Sequence, residues 1–87
     1  MQREDIMATV QSSVDSILSE RGEPTVSLGE GTRLLGGEDI AIDSLDLAVI
    51  VTGLQEASGV DPFEGGFIAF STVGELVDLF DSRMQQE

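Results

Sequence analysis

Few side chains in this sequence can do chemistry, and that narrows the search quickly. The chain has no Cys, no His, no Lys and no Tyr. It therefore lacks the commonest general base, the commonest metal ligands, a Schiff-base amine and a thiol. Only Ser, Thr and carboxylates remain. One stretch concentrates them usefully: Ile42-Asp43-Ser44-Leu45-Asp46. A serine here opens an apolar-periodic segment just after a long loop, where its hydroxyl is addressable by another protein. Glu38, Asp39, Asp43 and Asp46 surround it with negative charge. A cationic partner, or a divalent ion carried by that partner, would be drawn to such a field. Asp-Ser-Leu is also an ordinary helix start, with Asp as cap and Leu as anchor, so the tripeptide needs its context.

That context is helical. Ile6, Val10, Val14, Ile17 and Leu18 recur at spacings of three and four, which predicts a helix from about Arg3 to Arg21. Gly22 and Pro24 stop it. Residues 22–43 form a long loop that carries Val26, Leu28, Leu34, Leu35, Ile40 and Ile42 back onto the helices. A second helix is predicted from Ser44 to Ser58, with Asp43 as its cap and Asp46 in its first turn. Leu47, Ile50, Val51, Leu54 and Ser58 share one face of it, while Leu45, Val49, Thr52 and Glu56 lie opposite. Asp61-Pro62-Phe63-Glu64 resembles a capping box with Pro at the first helical position, which predicts a short helix or 3₁₀ turn, weakened by Gly65 and Gly66 into irregular backbone around residues 61–70. A last helix starts at Ser71 or Thr72, where Thr72-Val73-Gly74-Glu75 fits the capping pattern. Val73, Leu76, Val77, Phe80 and Met84 form its stripe, and Gln85, Gln86 and Glu87 form a fraying tail. The fold expected is all-α: a four-helix bundle with a long loop between helices 1 and 2 and a short helix 3, in one domain over residues 1–87. Phe63, Phe67, Phe70 and Phe80 belong to its core or line a cleft in it.

The charge balance excludes several partners. Seventeen acids face four Arg, for a formal net charge of −13. Nucleic acid and anionic membrane surfaces would be repelled, whereas a basic protein would be steered in. No segment is apolar and long enough to span a bilayer, no secretory leader is visible, and the chain reads as cytoplasmic. No metal site is expected: the acids near Asp39 and Asp43 lack calcium-loop order.

Taken with its surroundings, Asp43-Ser44-Leu45-Asp46-Leu47, followed by Ile50, Val51, Leu54 and Glu56, resembles the acyl-carrier and peptidyl-carrier protein family. The final segment Ser71-Thr72-Val73-Gly74-Glu75-Leu76-Val77-Asp78-Leu79-Phe80 matches the family's last helix in register. The resemblance implies an acidic four-helix bundle and a covalent 4′-phosphopantetheine on Ser44, donated from coenzyme A by a phosphopantetheinyl transferase using Mg²⁺. Asp43, Leu45 and Asp46 would be recognised by that transferase. The arm's thiol would hold an acyl or aminoacyl thioester, loaded by a ligase and passed to a downstream transferase or synthase. A chain without Cys would thus borrow its thiol. Leu45, Ala48, Val49, Thr52 and Glu56 would form the partner-docking face.

Two departures from the fatty-acid type point to a stand-alone carrier of a specialised pathway. The approach Leu34-Leu35-Gly36-Gly37-Glu38-Asp39-Ile40-Ala41-Ile42 is longer, and Val49, Gln55 and Ala57 stand where fatty-acid carriers usually show Glu. A monomer is expected. A different class, an unmodified acidic adaptor for a basic protein, uses the same charge without the serine. An enzyme built on Asp43 and Asp46 is the weakest reading, because two exposed carboxylates at a helix start have nothing to raise a pKa.

Overall fold

The computed structural model describes residues 2–34, 40, 42–66 and 68–85. Among them the chain forms three α-helices: α1 (Arg3–Glu20), α2 (Ser44–Ser58) and α3 (Val73–Gln85). The apolar stripes pack as their spacing predicts. Ile6, Val10, Val14 and Leu18 of α1 meet Ile50 and Leu54 of α2 and Val73, Leu76, Val77 and Phe80 of α3 in one buried cluster. Ile17, Leu47, Val51 and Met84 lie half-buried at its margin. Burial of each large side chain contributes about 1.5–3 kcal/mol, so this cluster, far more than helix propensity, holds the helices together.

The ends of α1 and α2 follow from local chemistry. Beyond Arg21, Gly22 has φ 72°, a left-handed conformation that costs glycine little. The Gly22 amide then donates to the Ser19 carbonyl and the Glu23 amide to the Leu18 carbonyl, closing α1 as a Schellman motif. α2 ends at Gly59 in the same conformation.

The crossover between α1 and α2 is tied down by polar groups that periodicity does not reveal. The Gln11 amide donates to the Val26 carbonyl and accepts from the Leu28 amide, both at 2.8 Å, so one side chain serves two loop backbone groups. Leu34 and Ile40 are buried in the core, with Val26, Leu28 and Ile42 packed against it, as expected. Leu35, Glu38 and Asp39 lie outside the described residues. Farther along, Arg33 and Thr72 form an isolated antiparallel bridge. The Val73 amide donates to Thr32, the Leu34 amide to Ser71 and the Gly74 amide to Glu30. Arg3 adds ion pairs to Glu30 and Asp78, joining α1, the crossover and α3.

The expected short helix 3 is absent among the described residues. Residues 62–65 are turns: Glu64 donates to the Asp61 carbonyl and Gly66 to the Phe63 carbonyl, and the Asp61 carboxylate caps the Phe63 amide rather than that of Glu64. Adjacent Gly65 and Gly66 deny that segment a stable turn of helix. Aromatic packing holds it instead. Phe63 lies 5.9 Å from Phe70 and meets the buried Phe80 edge-on at 6.3 Å. Phe67 lies outside the described residues, as do Gln86 and Glu87. The capping box at Thr72 is formed: Thr72 Oγ1 accepts from the Glu75 amide, and Glu75 Oε1 accepts from the Thr72 amide.

Candidate functional site

Ser44 is the first residue of α2, and it is exposed. Its position is set by a reciprocal cap. Asp43 Oδ1 accepts from the Asp46 amide at 2.9 Å, and Asp46 Oδ2 accepts from the Asp43 amide at 3.0 Å. The Asp43 carbonyl takes the first helical hydrogen bond, from Leu47. These bonds bracket the serine and turn the chain sharply into the helix, leaving its side chain on the outer surface.

The residues that precede and follow split into two faces. Asp43, Leu45, Ala48, Val49, Thr52 and Glu56 are all exposed. Leu45 is 77% exposed and Val49 64%, unusually open for branched apolar side chains. Ala48, Val49, Thr52, Gly53 and Glu56 line a shallow groove of about 370 Å³ along this side of the helix. Of the five residues read from the sequence as a docking face, Ala48, Val49, Thr52 and Glu56 line this groove, whereas Leu45 is exposed outside its lining.

Asp46 departs from expectation. The sequence reading makes it an exposed acid, but it is only 8% exposed. Arg21, the C-terminal cap residue of α1, lies across it and donates to Asp46 Oδ1 at 2.5 Å. Helical spacing within α2 cannot report this, because the covering side chain comes from another element. Arg21 and the Asp43 amide hold the Asp46 carboxyl below its ordinary pKa, and Arg21 is raised in turn by the same bond. An acid–base pair at Asp43 and Asp46 would need a carboxyl poised near neutrality; Asp46 is moved the other way.

Among the described residues there is no cluster of acids arranged to hold a metal ion, and no helix is long and apolar enough to cross a membrane. Sequence reasoning missed Gln11, Arg21 and the approach of Gly74 to Glu30. Gln11 left a faint signal, a long amide directly beside the buried stripe at Val10.

What the fold and site define is a small helical bundle that presents one serine at a helix start, with an open apolar-edged face beside it. No family model matches the sequence. A chloroplastic acyl carrier protein 2 of Hordeum vulgare is 32% identical over 77 residues, covering 85% of this chain. This chain spans 56% of that relative's length. The solution structure of MacpD, an acyl carrier protein from Pseudomonas fluorescens involved in mupirocin biosynthesis, superimposes with a TM-score of 0.77 at 24% identity. That match covers 93% of this chain and 72% of MacpD, and shows that the two share a fold. The chain is thus similar in sequence to one acyl carrier protein and shares the fold of another.

Proposed function

We propose that the chain carries acyl or aminoacyl groups as thioesters on a 4′-phosphopantetheine arm attached to Ser44, and that it acts as a carrier rather than a catalyst. The observation that carries this reading is the exposed Ser44 hydroxyl at the first position of α2, framed by the Asp43–Asp46 cap. The fit is chemical as well as positional. The chain has no thiol of its own, and a serine hydroxyl is the group that can accept a phosphopantetheinyl ester. The Ser44 oxygen forms the new ester to phosphorus as the pyrophosphate bond of coenzyme A breaks. The hydroxyl proton leaves, and adenosine bisphosphate departs.

Exposed Asp43 and Leu45 are the groups proposed to be read by the transferase. Asp46, named with them from the sequence, is covered by Arg21 and acts from beneath. The groove along Ala48, Val49, Thr52 and Glu56 is proposed as the surface for a loading ligase and a downstream transferase or synthase. Its apolar centre supports a specialised, stand-alone carrier over one serving general fatty-acid synthesis. The proposed working form is a monomeric domain in the cytoplasm, where coenzyme A is at hand.

Co-expression with a broad-specificity phosphopantetheinyl transferase, followed by intact-mass measurement, tests this. The expected result is a gain of one phosphopantetheine group in the wild type and none in Ser44→Ala. An unchanged mass in the wild type would favour an unmodified acidic adaptor.

A further inference from the structure

The crossover that separates α1 from α2 is long, yet the end of α1 and the start of α2 meet directly. Arg21 closes α1 and simultaneously bonds the third residue of α2. The pairing suits both partners. A guanidinium at a helix C-terminus and a carboxylate at a helix N-terminus each complement the local dipole. Asp46 engages both its oxygens inside the protein: Oδ1 with Arg21 and Oδ2 with the Asp43 amide. Its own amide is held by Asp43. The chain Arg21–Asp46–Asp43 is therefore a line of bonds running from α1 to the residue just before Ser44.

We propose that Arg21 and Asp46 are positioning residues for Ser44: their ion pair clamps the first turn of α2 to the end of α1 and so fixes where the serine is presented. Neither touches the incoming group. The cap alone is a local motif within four residues, free to fray with the helix end. Arg21 makes it a tertiary contact, anchored on a helix whose Leu18 is buried one turn earlier. The carboxylate's low exposure follows from the same arrangement. A partner protein meets Asp43 and Leu45 at the surface, while Asp46 supports them from below.

The functional half of this inference rests on the carrier reading, whereas the clamp itself does not, and the test separates the two. Hydrogen exchange on the whole chain reads the clamp. Arg21→Ala is expected to speed exchange at the amides of Asp43, Asp46 and Leu47 by about two- to fivefold, the scale of losing one partly screened ion pair. Core amides of α1 and α3 should exchange as before. Arg21→Lys, which keeps the charge, should recover part of the protection. Asp46→Asn, which keeps an acceptor for the Asp43 amide, should resemble Arg21→Ala. The rate of phosphopantetheinyl transfer should fall by a similar factor in the two unclamped variants and recover partly in Arg21→Lys.

Unchanged exchange at those three amides in Arg21→Ala would overturn the clamp. Faster exchange with an undiminished transfer rate would overturn its role in presenting Ser44. Should the wild type take up no arm at all, the carrier reading fails while exchange still decides the clamp. Should Arg21→Ala lose its fold altogether, Arg21→Lys and Asp46→Asn carry the comparison.

Discussion

Replacing Gly74 by Ala should destabilise the protein, although alanine is the better helix former. The reason is a close approach. A methyl group built on Gly74 would stand 2.8 Å from the Glu30 carbonyl oxygen, 3.0 Å from its Cβ and 3.3 Å from its Cα. The nearest atom is backbone, so no flexible side chain can swing aside. The same carbonyl accepts the Gly74 amide at 2.8 Å, beside the bonds from Val73 to Thr32 and from Leu34 to Ser71. Pushing residue 30 away strains all three. Overpacking costs about 1–3 kcal/mol and a lost hydrogen bond about 1 kcal/mol, against a gain of at most about 1 kcal/mol in helix propensity. The net expectation is a loss of about 1–3 kcal/mol. In a domain of 87 residues, each kcal/mol moves Tm by about 4–8 °C. Gly53 supplies the control, because it lies inside α2 with nothing within 4 Å of the place a methyl group would take. Gly53→Ala should therefore stabilise by about 0.5–1 kcal/mol. Thermal unfolding followed by circular dichroism would measure both. If Gly74→Ala melted at or above the wild-type temperature, the packing of the crossover against α3 would be misjudged. Equal shifts at the two positions would refute the argument as well.

Val49→Glu should leave Tm within a few degrees of wild type, because the side chain is exposed, while slowing transfer between the proposed arm, once loaded, and a partner enzyme of the proposed carrier. Undiminished transfer with every cognate enzyme would remove Val49 from the docking face. Acidification should selectively weaken the Arg21–Asp46 contact. A carboxyl depressed in the folded state contributes stability that is complete above its unfolded pKa, about 3.9, and is lost as pH falls through the lower folded value. The direction is set by Arg21 and by the Asp43 amide. Wild type and Arg21→Ala should therefore differ most in urea midpoint above about pH 5 and converge below the folded value, with the shared effect of the remaining acids cancelling between them. A difference independent of pH from 7 to 2 would contradict an ionised pair.

Much of this protein can be derived from its residues in order. The 3.6-residue period placed Ile6, Val10, Val14 and Leu18 on one face, and burial against water makes that face the core. Asp43, Thr72 and Gly22 are local signals, acting over three or four residues, and each performs its expected job at a helix end. The outward face at Leu45, Val49, Thr52 and Glu56 follows from the same geometry, as does the exposure of Ser44. The short third helix failed because its capping signal competed with two glycines, and tertiary packing of Phe63 on Phe80 and Phe70 supplied a more favourable alternative than helical hydrogen bonds.

Only the tertiary structure could decide which distant groups meet. Asp46 looks solvent-exposed along α2 and becomes covered because Arg21, 25 residues earlier, ends a helix beside it. Gly74 looks like a weak point in α3 and becomes a contact because residue 30 crosses there. Gln11 gains its two backbone partners in the same way. Periodicity and capping are properties of a few consecutive residues, whereas ion pairs, close approaches and loop anchors depend on how one hydrophobic core draws separate segments together.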